Sequence, residues 1–330
     1  STNSYKTVDR YTTYISSLGT WTQSQDTDAP SGFGHSLKML CTTADASPAS
    51  TNRMLIQTNL EGQDIQSLGF GDTSNTYTVS FYVKSNVTGT YILEHLGGTA
   101  SATGHQISTP YTVNNVNTWE RKTITLNVDS GAMTSDNTGG LTLSFWLGTG
   151  SNYSSGTLNT SWSSPSAGNR AVGQVNLASA TNNYWQITGI QLEAGDTATP
   201  FEHRSYGDEL LACQRYCWRV TKETTFHNVV NMAAYNAVVA YGVLNFPVKM
   251  RTSPTFTHSG VGDFLVTGQA NDSSCTSLVA FEIATNNLQL GANGSGSLTQ
   301  GSAYWVRFTS SSPTGSEFFQ FDAELLSLIH

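Results

Sequence analysis

Only 12% of the 330 residues are charged, 15 lysines and arginines against 23 aspartates and glutamates for a net charge of −8, and that is about half the usual share. A surface so short of cations, with no lysine or arginine run, lacks the basic footprint that nucleic acid or an anionic membrane requires. No apolar run reaches the ~18 residues of a membrane helix, since Val229 to Val248 is broken by Asn231, Asn236, Gly242 and Asn245, so a soluble protein of about two domains is expected.

The amino terminus, Ser1-Thr2-Asn3-Ser4-Tyr5-Lys6, has neither the basic nor the apolar stretch of a secretory leader, and none is expected there. After an aromatic start at Tyr11 and Trp21, a turn at Asp28-Ala29-Pro30-Ser31-Gly32 leads into a short strand, Ser36 to Leu40. A polar loop from Ala44 to Asn52 precedes a strand at Met54-Leu55-Ile56-Gln57. The clearest strand is Tyr77 to Lys84, in which Tyr77, Val79, Phe81 and Val83 share one face by period-two alternation. Tyr91 to Leu96, Trp119 to Val128 and Leu141 to Leu147 follow, and Leu141, Leu143, Phe145 and Leu147 repeat the alternation. Many short strands separated by Gly, Asn and Asp turns, with no long helix, predict an all-β sandwich or barrel.

Gly148 to Ala180 is a long Ser/Asn/Gly segment containing Tyr153 and Trp162. It either packs over the sandwich or takes part in binding. Trp185 to Leu192 reads as a strand, Gly195-Asp196 turns the chain, and Pro200 keeps Thr199 out of the helical region. Ser205 is placed to cap a short helix from Tyr206 to Tyr216, with Asp208 and Glu209 in its first turn and Tyr206, Leu210, Cys213 and Cys217 on one face. Strand-like sequence resumes at Cys217. Further strands are expected within Val229–Val248 and at Thr255–His258, Phe264–Thr267, Leu278–Ile283, Tyr304–Phe308 and Phe318–Leu325. These boundaries predict a first domain over 1–198, a linker and helix over 199–217, and a smaller β-sandwich over 218–330.

Two groups of motifs carry resemblances. Gly189-Ile190-Gln191-Leu192-Glu193-Ala194-Gly195, Ala198-Thr199-Pro200-Phe201-Glu202 and Tyr206 through Cys213-Gln214-Arg215-Tyr216 resemble a linking segment of tailed-bacteriophage fibre and appendage proteins. Phe246 to Arg251 and Phe321 to Leu325 are similar to the C-terminal domain of the same proteins. Gly34 to Lys38, Tyr77 to Lys84 and Thr118 to Lys122, in that order, resemble jelly-roll modules of the carbohydrate-binding type. In those modules the closing strand often carries an acidic pair associated with calcium, whereas here it reads Ile187-Thr188-Gly189-Ile190. The resemblances imply a jelly roll followed by a smaller β-sandwich in a virion appendage, a tail-fibre or head-fibre and decoration component, usually a homotrimer, with itself and other virion proteins as partners.

Catalytic patterns are not visible. No Gly-x-Ser-x-Gly elbow precedes a helix, and His35, His95, His105, His203, His227, His258 and His330 are scattered without metal-ligand spacing, which reads as surface or loop histidine for each. Gly291 to Gly296 lacks the lysine and following helix of a phosphate loop and reads as a turn. Cys41, Cys213, Cys217 and Cys275 are too few and too scattered for a disulfide framework and read as buried, reduced thiols. Glu94, Glu120, Glu193 and Glu202 lie in or beside strands of the first domain, but nothing pairs two of them for glycoside hydrolysis. No enzyme, cofactor or metal site is therefore expected.

Aromatic residues directed away from the core are the remaining binding signal. Tyr82 and Trp146 point outward on their strands, and with Tyr153 and Trp162 they are candidate glycan contacts, because a ring can stack on the apolar face of a sugar. The favoured alternative is that the outward rings are buried between subunits. The expectation is a virion appendage with structural display and weak adhesion to a cell-surface glycan; the alternative is a carbohydrate-binding module of a secreted polysaccharide-active enzyme.

Overall fold

The computed structural model describes residues 11–97, 104–223, 227–268, 272–296, 298–309 and 317–324. Nearly all regular structure among them is strand, and they fall into two compact units that divide between His203 and Arg204. No helix among the described residues is long and apolar enough to cross a membrane.

The first unit has ten strands: β1 (Tyr11–Ser16), β2 (Thr20–Asp26), β3 (Ser36–Thr43), β4 (Arg53–Glu61), β5 (Thr76–Ser85), β6 (Gly89–Gly97), β7 (His105–Val113), β8 (Glu120–Asn127), β9 (Gly139–Thr149) and β10 (Tyr184–Ala194). They form two antiparallel five-stranded sheets, β1-β4-β9-β6-β7 and β2-β3-β10-β5-β8. The chain crosses between sheets after β1, β3, β4, β5, β7, β8 and β9, the winding of a jelly-roll sandwich.

Alternation makes the core. Tyr77, Val79, Phe81 and Val83 of β5 are completely buried, as are Phe145 and Leu147 of β9 beside Leu141 and Leu143. Phe81 meets Phe145 edge-on at 5.3 Å and Tyr111 of β7 at 5.1 Å, so aromatic contacts tie the two sheets together. His95 corrects the surface reading. It shares the inward face of β6 with Tyr91 and Leu93, is wholly buried, and places Nδ1 2.9 Å from the Tyr77 hydroxyl. Burial alone pushes its pKa down to about 3.

A bulge interrupts β10, where the register with β5 shifts between Thr188 and Gln191. The extra residue resets the in-out parity, so Trp185 and Ile187 face the core before it and Ile190 and Leu192 after it. Gly189 sits there at φ 59°, and a Cβ on it would lie 2.6 Å from the Phe33 ring. No other residue fits that space without displacing the ring.

The second unit contains α1 (Tyr206–Gln214), β11 (Cys217–Thr221), β12 (Asn228–Ala234), β13 (Val239–Asn245), β14 (Thr255–His258), β15 (Phe264–Thr267), β16 (Asp272–Phe281), β17 (Asn287–Gly294), β18 (Ala303–Phe308) and β19 (Phe318–Asp322). Ser205 caps α1 as expected, its hydroxyl accepting from the Asp208 N–H at 3.2 Å. The helix nevertheless buries no residue, and Tyr206, Leu210 and Leu211 are exposed, so the amphipathic face read from spacing finds no core. Cys41 and Cys275 are buried thiols, but Cys213 and Cys217 are only partly covered.

Six strands, β12-β13-β17-β16-β15-β18, close into a barrel, and β11-β19-β14 forms a small sheet. The sequence predicted a smaller β-sandwich here; the all-β class holds, and six of the strands wrap further, into the barrel. Closure follows from register shifts between Asn228 and Val230 on β12 and between Cys275 and Ser277 on β16, since such irregularities bend a sheet back on itself. Gly291 to Gly294, read as part of a turn, belongs to β17 instead; a Cβ on Gly291 would meet the rings of Phe281 and Tyr241, so the glycine makes room for them.

Candidate functional site

Each sheet of the first unit has an outer face, and the two differ. On the β1-β4-β9-β6-β7 sheet one polar row crosses every strand: Thr12 opposite Gln57, Gln57 opposite Ser144, Ser144 opposite Glu94, and Glu94 opposite Ser108. All five are buried. Beside it runs Tyr14, Leu55 and Trp146.

The segment between β9 and β10 roofs part of this face. Arg170 donates from Nε and Nη2 to the two Glu94 oxygens at 2.6 and 2.9 Å, while the Trp146 indole N–H donates to Glu94 Oε2 at 3.0 Å. The Arg170 guanidinium lies 5.2 Å from the Trp146 ring, and the Tyr153 ring is 5.6 Å away on the same indole. Burial works against the Arg170 charge, but Glu94 outweighs it and raises the pKa. The Asn159 amide donates to the Gln106 carbonyl at 2.9 Å, and Gln106 pairs with Ser163, which fastens the segment to β7.

Trp146 therefore does leave the main core, as alternation predicted, but enters a second small cluster with Leu55, Ile92 and Ala171 and has no exposed surface. It cannot stack on a sugar in this arrangement. Tyr153 is half-buried between the guanidinium groups of Arg53, 5.0 Å away, and Arg170, 6.0 Å away. Trp162 is also half-buried; its ring is 6.1 Å from Phe70 and its N–H donates to the Asn127 carbonyl at 2.8 Å. The long segment packs over the sandwich, the first of the two readings.

The outer face of the other sheet carries Lys38, Gln186 and Lys84 in one row across β3, β10 and β5. Lys38 pairs with Asp26 at 2.8 Å, and Lys84 pairs with Asp28 at 2.6 Å. Two half-exposed rings flank the row: Tyr184, with the Lys38 ammonium 5.2 Å from its centroid, and Trp119, with the Lys84 ammonium at 6.0 Å. Their polar atoms are fixed, because the Tyr184 hydroxyl donates to Asn117 at 2.6 Å and the Trp119 N–H donates to Asp28 at 3.1 Å.

Hydrogen bonds from the lysines lower the pKa of Asp26 and Asp28. Burial, the first influence on Tyr184, raises its phenol. At the edge of the face burial raises the Glu120 pKa, yet bonds from Lys122, Asn115 and Asn114 overcome it and bring the value to about 2. All three carboxyls are held ionised, the opposite of what a general acid needs. Among the described residues no group of three or more His, Cys, Asp or Glu could hold a metal ion.

Tyr82 lies farther along the same face, half-buried against Phe33 at 5.4 Å. Phe33 also meets Phe201 at 5.0 Å and His203 at 5.3 Å, because residues 196–203 turn back after β10. Arg121 donates to the Thr199 carbonyl, and the Glu202 N–H donates to the Gln191 amide oxygen at 2.8 Å. Of the four residues picked from sequence, the structure thus brings only Trp146 and Tyr153 together, and under a roof. Trp119 and Tyr184 were missed because both sit at strand ends, where period-two alternation assigns no face.

No family model and no curated protein matches the chain. Solved structures similar to it include the enzymatically active domain of bacteriophage CBA120 tailspike protein 4, 11% identical over 56% of this chain and 19% of that one, with a TM-score of 0.35. Another is the family 11 carbohydrate-binding module from Clostridium thermocellum in complex with a β-1,3-1,4-mixed-linked tetrasaccharide, 11% identical over 56% of this chain and 89% of the module, TM-score 0.32. The C-terminal family 22 carbohydrate-binding module of Clostridium thermocellum Xyn10B is 13% identical over 58% of this chain and 89% of its own, TM-score 0.33. The chain spans less than a fifth of the tailspike structure, and at these identities and scores the likeness assigns neither family nor activity.

Proposed function

We propose that the protein is a non-catalytic virion appendage component whose first unit adheres weakly to a glycan through the face bearing Trp119 and Tyr184. The observation that carries the reading is the pair of half-exposed rings flanking Lys38 and Lys84, their polar atoms already bonded to Asp28 and Asn117. Rings held this way offer apolar faces to sugar C–H groups without further loss of side-chain freedom, and the neighbouring ion pairs and amides offer partners to hydroxyls. Two stacked rings at ~1 kcal/mol each supply about half of the ~4 kcal/mol of a millimolar site, and the polar contacts supply the rest. Several copies on one particle raise avidity by roughly 10²–10⁴, which suits an appendage.

The virion role and a homotrimeric form are supported by the resemblance of the sequence motifs of 189–216, and self-association by the exposed Tyr235, Val238 and Val243 around β12 and β13. Titration of the labelled protein with host-surface polysaccharide is expected to shift the indole N–H of Trp119 and the amide of Tyr184. Shifts confined elsewhere would refute the site, and release of reducing ends would refute the non-catalytic reading. Labelled-antibody imaging of particles tests the virion role, and light scattering giving a monomer at micromolar concentration would remove the trimer.

A further inference from the structure

In the second unit β14 and β15 are nearly continuous in sequence but part company in space. β15 stays in the barrel, where Leu265–Thr267 pairs with Asp272–Ser274 of β16, whereas β14 pairs with β19 of the small sheet. The chain therefore opens a wedge between β14 and the far half of β16. Among the described residues β14 is paired on one side only, and from Leu278 onward β16 is paired only with β17. The groove between them has a volume of about 480 Å³ and is walled by Thr255, Phe256 and His258 on one side and Leu278, Val279 and Ala280 on the other.

The ladder fixes which groups face the opening. Ser259 donates its N–H to the Phe318 carbonyl at 3.1 Å, continuing the register of β14 with β19. Bonded and non-bonded pairs alternate in an antiparallel ladder, so Phe256 and His258 turn their backbone N–H and C=O groups to the free side. Those two sets of groups repeat about 6.8 Å apart, the two-residue spacing of an extended chain. His258 adds an imidazole Nδ1 that is buried and has no hydrogen-bond partner. Among the described residues the walls contain no lysine, arginine, aspartate or glutamate.

We propose that the wedge accepts an extended, uncharged peptide segment of another protein, which adds beside β14 as a fourth strand of the small sheet. Its backbone would complete the bonds of Phe256 and His258, and an apolar side chain would rest on Leu278 and Ala280. Strand addition explains three features at once: backbone groups at strand spacing, an apolar floor, and walls with which a charged segment would find no partner.

The test uses the full chain, isotope-labelled, and a blocked peptide alternating threonine and valine. Saturating peptide is expected to slow hydrogen exchange at the Phe256 and His258 amides by roughly tenfold or more. A peptide N-methylated at alternate residues, which cannot complete the ladder, is expected to have no effect, as is the unmodified peptide on the folded Ala280→Lys variant. The proposal is overturned if millimolar peptide leaves both amides unchanged, or if the N-methylated peptide protects them equally. It is also overturned if the amides are protected in the chain alone, independently of concentration where its own residues cover the edge, or rising with concentration where a second copy does.

Discussion

On the outer face of the β4-β9 sheet, Glu94 is gripped by Arg170 and capped by Trp146 under a roof of chain, whereas on the outer face of the β3-β10 sheet Lys38 and Lys84 hold their aspartates in half-exposed positions. Both faces obey the same alternation, and both send polar and aromatic side chains away from the core. Their fates diverge because the segment after β9 folds over one, while among the described residues only 196–203 cross part of the other. Direction along a strand is local information; solvent exposure depends on chain that can lie far away in sequence.

The widest gap between the faces is expected in their ion pairs. Arg170→Ala leaves Glu94 charged and buried without its cation, and should cost ~3–5 kcal/mol in urea unfolding. Lys84→Ala on the open face should cost no more than ~1 kcal/mol. Similar losses for the two variants would mean that the roofed face is as wet as the open one. Trp146→Ala sharpens the same contrast, with ~3–5 kcal/mol lost for a fully buried indole.

Acid titration should separate the interior from the open face. His95 is neutral in the fold with a pKa of about 3 but takes up a proton near 6.5 when unfolded. The unfolded state then binds more protons, so stability present above pH 6.5 is lost as the pH falls toward 3, at ~1.4 kcal/mol per pH unit at most. His95→Asn should flatten that limb. Glu120, lowered to about 2 from 4.5, contributes stability that is present above pH 4.5 and lost as the pH falls through 2. Glu120→Gln should change only this lower region, and a shared midpoint for the two variants would contradict the separation.

The smallest expected stability effects belong to the proposed contact rings. Trp119→Ala and Tyr184→Ala should each stay within ~1 kcal/mol of the parent, as partly exposed side chains outside the packed core. Glycan affinity should nevertheless fall in both. Loss of binding in Tyr82→Ala with none in these two would move the contact toward Phe33 and Phe201.

The strands were legible where apolar alternation was strong, as in Tyr77 to Val83 and Leu141 to Leu147. β1, β2 and β7 were missed because their threonines and glutamines read like the loops around them. His95 continues the inward series Tyr91 and Leu93, so its position in the strand, not its residue type, signals its burial. The site was much less readable. Nothing near Trp146 in sequence announces Arg170, and nothing near Trp119 announces Asp28, because both contacts depend on crossings between sheets.

The placement of β10 has a mechanical consequence. This strand leads the chain out of the first unit, yet it lies inside its sheet, bonded to β3 on one side and to β5 on the other. Tension entering at His203 would first have to free the turned-back segment 196–203 from Phe33, Arg121 and Gln191; a pull at Ala194 would then load the ladders with β3 and β5 together, rather than peeling an edge strand away one bond at a time. The exit point is thus built to bear a pull, and the bulge at Gly189 divides the loaded ladder into two stretches that need not yield together.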